Sequence, residues 1–301
     1  MAQHFKPTID ADVVRVFVLE TDQPHPDTQS ERGSFGQILH SHFAKAGAAH
    51  HPPLGVETEQ DFVVTEKGGR MPKPEEFDLY DGLLITGSMY DAYANNPWIL
   101  ELLELLKRES PPEPLLLSSS DAQFVELWIK RPDFHFTGVC FGHQLLSRLL
   151  GGKVGPSPTN DWELGHNAIT LTPIGKRLFR TRDDQVYLHQ MHQDQVLEAP
   201  TPGSSNGLLP PDADVHVWGK SDHTAVQGLY IPNRLFTSQA HLAFDEDMVK
   251  RQIQMRIESG GIQDLEHADQ AAETAHLEHD GEEVAAAILR LFRYDDDGME
   301  W

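Results

Sequence analysis

Through the first half of the chain, short apolar runs alternate with segments of helical spacing. Residues 13–19 form a β-branched run of the kind that makes a buried strand. Residues 61–65 and 82–86 read as two further strands, each closed by glycines. Residues 21–31 are polar and proline-bearing, and read as loop. Residues 34–46 set Phe35, Ile38, Leu39 and Phe43 on one helical face and stop at Gly47. Residues 97–108 do the same with Ile99, Leu102, Leu103 and Leu106, with a proline at the helix start. Residues 110–120, rich in proline and serine, read as an inserted loop, and 124–129 as a short helix. A strand over 134–139 then runs directly into a helix over 144–150, which ends at Gly151-Gly152.

This alternation predicts an α/β fold: a doubly wound, mostly parallel central sheet flanked by helices. From Trp162 onward the rhythm changes. Residues 168–171, 185–188, 215–218, 225–230 and 235–238 are short strand candidates joined by turns, which adds a small antiparallel β section. Residues 245–258 and 282–293 are helical, and the acidic stretch between them reads as mobile. The expected organisation is a main domain over 1–250 with a helical, acidic extension over 251–301 that packs on it or trails from it.

Charge narrows the partners. The 301 residues carry 24 basic and 47 acidic side chains, a net of -23. Such a surface repels phosphate backbones and anionic lipid, which argues against nucleic-acid and membrane partners. No apolar run is long enough to span a bilayer, and the N-terminal residues lack a secretory pattern. A lone cysteine permits no intrachain disulfide and fits a reducing compartment, so the expected location is cytoplasmic.

That cysteine is the most telling residue. Cys140 sits in Gly138-Val139-Cys140-Phe141-Gly142-His143, between a strand and a helix. Glycines two positions before and after it allow a sharp turn that lifts the side chain out of the sheet, the geometry of the Gly-x-Ser-x-Gly nucleophile elbow. The following helix would aim its N-terminal amides at the sulfur and favour the thiolate. A cysteine nucleophile needs a base and an oxyanion hole. Among 17 histidines, His241 follows a late strand, where a loop at the carboxyl edge of the sheet could face the elbow. A loop histidine with a purely structural role has the same sequence signature. His40, His42, His50 and His51 lack an acid or thiol to complete a metal set and read as solvent-exposed, as do His276 and His279. Gly151 to Gly155 reads as a turn rather than a phosphate loop.

The segment from Gly138 to Gln144 resembles the nucleophile motif of class I glutamine amidotransferases. Other segments follow in that family's order. Ile85-Thr86-Gly87-Ser88 resembles its oxyanion loop. Trp162-Glu163-Leu164-Gly165 and His192-Gln193-Asp194-Gln195-Val196 resemble stretches of its stand-alone, GMP-synthase-like members, and Gln239-Ala240-His241 the segment holding the catalytic histidine. The resemblance implies that Cys140 attacks a γ-glutamyl amide, of glutamine or of a γ-glutamyl peptide, to form a thioester. It implies His241 as base, and the amides of Gly87 and Phe141 as the oxyanion hole. Ser88, Gln144, His192, Gln193 and Asp194 would shape the substrate pocket. No metal or organic cofactor is called for. The partner implied is a small-molecule γ-glutamyl substrate; either a separate subunit accepts the ammonia, or the protein is a plain γ-glutamyl hydrolase or peptidase. The chain departs from the family at Ala243, where an orienting glutamate is expected, and at Leu242, where proline is usual. Asp245 and Glu246 are the nearby acids able to substitute, or else first-turn acids of the next helix. The missing acid leaves a catalytically degraded binding or regulatory protein as the alternative to an enzyme.

Overall fold

The computed structural model describes residues 3–107 and 127–295. Its strands, in chain order, are β1 (Gln3–Phe5), β2 (Asp12–Glu20), β3 (Leu54–Phe62), β4 (Gly82–Ile85), β5 (His135–Val139), β6 (Lys153–Pro156), β7 (Glu163–Leu171), β8 (Gln185–His192), β9 (Asp194–Glu198), β10 (His216–Lys220), β11 (Gly228–Ile231) and β12 (Leu235–Ser238). Its helices are α1 (Pro26–Arg32), α2 (Phe35–Ala49), α3 (Pro97–Lys107), α4 (Leu127–Lys130), α5 (Phe141–Leu149), α6 (Pro173–Leu178), α7 (Glu246–Glu258), α8 (Leu265–Glu273) and α9 (Gly281–Phe292).

Ten strands form one sheet in the order β1-β3-β2-β4-β5-β12-β11-β10-β7-β8, and β6 pairs with β9 apart from it. The run β3-β2-β4-β5-β12 is parallel. From β12 to β8 the pairing is antiparallel. The expected doubly wound, mostly parallel sheet with an antiparallel section is therefore the fold, with the two parts fused edge to edge. Residues 16–19 of β2 are apolar without alternation because both faces of that strand are covered. Along β2, Val16 and Val18 pack into one core with Leu39 and Phe43 of α2 and Ile288 of α9. Phe17 and Leu19 alternate into the other, with Trp98 and Leu102 of α3 and Leu145 of α5. Ser34 starts α2 with a reciprocal cap: its backbone N–H donates to Gln37 Oε1 at 2.8 Å, and its hydroxyl accepts from the Gln37 N–H.

Several boundaries differ from the sequence reading. The strand expected over 61–65 lies earlier, as β3, and Thr65–Lys67 is a single helical turn ending at Gly68. The loop expected over 21–31 contains α1, and the stretch read as mobile contains α8. Residue 250 falls inside α7, and Ile288, Leu289 and Leu291 of α9 are buried in the same core as β2. The 110–120 insertion lies outside the described residues. So does most of the 124–129 helix, whose described part begins at Leu127. Among the described residues no helix is long and apolar enough to cross a membrane.

Candidate active site

Cys140 stands between the end of β5 and the start of α5 with φ 52° and ψ -106°, a conformation that L-residues rarely adopt. The flanking glycines make that turn fit. A Cβ at Gly138 would come 2.5 Å from the Gly142 carbonyl carbon, and one at Gly142 would come 2.2 Å from the Ile85 oxygen. The elbow is tied to both neighbouring strands. The Cys140 N–H donates to Ser238 O at 2.8 Å, and the Gly142 N–H to Thr86 O at 3.2 Å.

Gly87 and Ser88 leave the end of β4 beside this turn. The Thr21 hydroxyl donates to Gly87 O at 3.0 Å, and the Ser88 hydroxyl to Thr21 O at 2.8 Å. His241 arrives from the end of β12, where its N–H donates to His189 O at 2.9 Å. A Cβ added at Gly87 would stand 3.0 Å from His241 Cε1 and 3.5 Å from Cys140 Cβ. The two candidate reactive side chains thus crowd one glycine, which only a residue without a side chain can occupy. No hydrogen bond joins them.

Electrostatics set the protonation of this pair. Burial pushes the Cys140 thiol up to about 11, over the opposing influence of the Arg256 charge, the Phe141 amide and the Gln239 side chain. The Phe141 amide at the helix start favours the thiolate as expected, and burial outweighs it. Burial, reinforced by His192, His189 and Arg256, holds the His241 imidazole down to about 3. Burial thus disfavours the charged form of both groups.

The His241 ring stacks on Phe244, with centroids 3.9 Å apart and 15° between planes. Among the described residues no carboxylate hydrogen-bonds it. Asp245 caps α7, accepting from the Met248 N–H at 3.0 Å, and pairs with Arg32. Glu246 pairs with Lys250 at 2.6 Å on the exposed face of the same helix. Asp245 thus serves as the N-cap of α7 and Glu246 as a first-turn acid, and Ala243 leaves its position without a carboxylate.

Two cavities open on Cys140. One, about 50 Å³, is bordered by His241 and by an apolar wall of Phe35, Ile38, Met191, Phe244 and Met248. The other, about 170 Å³, is polar and bordered by Ser88, Asp91, Gln144, His192, Gln193 and Asp194. Gln144 Nε2 donates to Asp194 O at 2.7 Å and to Gln239 Oε1 at 3.1 Å. Gln193 Nε2 donates to Asn160 O at 2.7 Å. Burial and the neighbouring Asp91 raise Asp194 to about 7. His192 is spoken for: its Nδ1 bonds Asp194 O and its Nε2 bonds Glu163 Oε2, each at 3.0 Å.

Sequence reasoning missed Asp91, Phe244 and Arg256. Met248, Gln252 and Arg256 recur every four residues on α7, so two polar side chains on the inward face of that helix were a usable signal. His40 is buried and bonds Thr58 Oγ1, and the half-buried His42 bonds Gly281 O, so neither is the solvent-exposed position expected. Among the described residues no group of three His, Cys, Asp or Glu is arranged to hold a metal ion.

Residues 123–247 match the model of the family described as Glutamine amidotransferase class-I, a span that includes Cys140, Gln144, His192 and His241. The chain is 22% identical over 240 residues to a glutamine amidotransferase-like protein of Schizosaccharomyces pombe, covering 80% of this chain and 83% of that relative. It is 27% identical over 225 residues to gamma-glutamyl peptidase 5 of Arabidopsis thaliana, covering 73% and 76%. The crystal structure of a glutamine amidotransferase from Thermotoga maritima shares the fold, with a TM-score of 0.53 at 19% identity over 93% of this chain and 98% of that one.

Proposed function

We propose that this chain, which belongs to the class I glutamine amidotransferase-like family, cleaves γ-glutamyl amides whose leaving amine carries an apolar substituent. The observation that carries this reading is the division of the site. Of the two lobes that meet at Cys140, His241 borders the one with the apolar wall, which Asp22, Gln252 and Arg256 border as well. The group that protonates a leaving amine must face it. The amine therefore departs into an apolar lobe, which the ammonia of glutamine would leave unfilled. The glutamyl head then occupies the polar lobe, beside Gln144 and Asp194.

In the proposed sequence Cys140 Sγ attacks the γ-carbonyl carbon while its proton passes to His241. The oxyanion is received by the Gly87 and Phe141 N–H groups. Collapse of that intermediate breaks the C–N bond, and the amine takes the proton from His241. Water then adds to the thioester and releases glutamate and the thiol. Ala243 favours a second reading, a binding protein on the same fold, because the imidazolium formed in the first step has no carboxylate behind it.

Side-by-side assays of γ-L-glutamylanilide and L-glutamine test the choice. The expected kcat/KM favours the anilide by about 10- to 200-fold, the range an apolar pocket gives, and Cys140→Ala abolishes the release. Faster release from glutamine overturns the substrate assignment. No release from either supports the binding protein.

A further inference from the structure

Among the side chains bordering the site, Arg256 carries a charge with no partner. It lies on α7 in line with Gln252 and Met248, all three border the apolar lobe, and Arg256 borders the polar lobe as well. Its Nε is buried without a hydrogen bond. Among the described residues no oxygen pairs with its guanidinium. The other arginines turned inward behave differently: Arg148 donates to Ala92 O at 2.8 Å and to Ala94 O at 2.6 Å, and Arg234 donates to the carbonyls of Trp128 and Phe134.

Arg256 is nonetheless fixed in place. Its guanidinium lies over the Trp162 ring, 5.3 Å from the centroid. Trp162 Nε1 donates to Gly261 O at 3.0 Å, and the Gly261 N–H returns to Arg256 O at 2.8 Å. Ring, turn and guanidinium form one unit at the end of α7. A half-buried charge held rigid and unpaired is costly unless a ligand completes it. The same polar lobe presents Asp91 and Asp194, neither ion-paired with Arg256. Acids beside the guanidinium would repel a polyanion. They suit a ligand with both signs a few bonds apart, which is an α-amino acid head.

We propose that Arg256 anchors the α-carboxylate of the γ-glutamyl group, with Asp91 and Asp194 facing its α-ammonium. The inference rests on the γ-glutamyl reading above, and it concerns a residue beyond the 123–247 family match. A planar guanidinium is the natural bidentate partner for a carboxylate. Held there, the head would set the γ-carbonyl at Cys140, where the lobes join.

The test is calorimetric binding of γ-L-glutamylanilide and of 4-aminobutyranilide, its analogue without the α-carboxylate, to the Cys140→Ala protein. Arg256→Met is expected to weaken the glutamyl ligand by on the order of 100-fold and to leave the decarboxylated one within a factor of about two. Arg256→Lys, which keeps the charge and the stem over Trp162, is expected to recover part of the loss. Equal weakening of both ligands, no weakening of the first, or no binding of it at all overturns the proposal. Aniline release by the protein with Cys140 intact separates this from the reaction. Carboxylate-dependent binding without release defeats the hydrolase reading and leaves the anchor standing. Release that is indifferent to Arg256→Met defeats the anchor alone.

Discussion

His192 and His241 border the two lobes beside the same cysteine and are held in opposite ways. His192 lies in the antiparallel part of the sheet with a buried carboxylate behind it. Glu163 accepts from His192 at 3.0 Å, from the Thr224 hydroxyl at 2.7 Å and from Gln227 Nε2 at 2.9 Å. Burial alone would raise the Glu163 pKa, but the bonds from His192, His223 and Ser221 together hold it well below the usual carboxylate range. His241 lies at the seam of the parallel and antiparallel parts. It has an aromatic ring against its face and no acid. The supported imidazole spends both nitrogens on the scaffold, and the unsupported one borders a cavity that opens on Cys140. A histidine–carboxylate pair therefore does not coincide with the histidine proposed as the base. What sets His241 apart is its close approach to Gly87 beside Cys140 and the lobe that it borders.

The largest effect should come from breaking the supported side. Glu163→Ala strands His192 in a buried site and is expected to cost about 3–5 kcal/mol of unfolding free energy, read from the urea midpoint. A change below about 1 kcal/mol would mean that the Glu163 network does not hold the antiparallel part together. Next comes the protonation of the unsupported side. With the thiol at about 11, alkylation of Cys140 by iodoacetamide should climb about tenfold per pH unit from pH 8 to 10, because raising the pH supplies thiolate. A plateau near neutral pH would show a thiolate–imidazolium pair and erase the contrast. The smallest expected change is a gain. Ala243→Glu gives His241 the support that His192 already has, and should raise kcat on γ-L-glutamylanilide by about 10- to 100-fold, less than the ~10⁴ at stake in serine triads. No gain, with the variant folded, would show that stacking on Phe244 orients the ring well enough.

The legible parts of the molecule are those with one-dimensional signals. β2, β4, β5 and α3 are continuous or periodic apolar segments, and the glycine-flanked cysteine needs only its immediate neighbours to predict its turn. β3 escaped because Thr58, Gln60 and Asp61 are buried polar side chains, so its inward face does not read as apolar. α8 escaped for a related reason. It buries Ala268 and Ala271 against β7, where a Cβ on Gly165 would come 2.8 Å from Ala271 Cα. Contact between backbones needs small residues, and small residues leave no hydrophobic stripe. Asp245 and Glu246 were visible as acids near His241, but their distance from it in sequence carries no direction. The α7 cap and the ion pairs with Arg32 and Lys250 gave them other work.

By itself the chain determined its alternating strands and helices, its sharp turn at Cys140 and the absence of a glutamate two residues after His241. Each follows from local steric rules or from the identity of one residue. The tertiary structure decided that His241 and Arg256 border a cavity at Cys140, and that burial raises the thiol pKa and lowers that of the imidazole. Those outcomes depend on burial and on distances between segments far apart along the chain, and both are properties of packing that no local pattern carries.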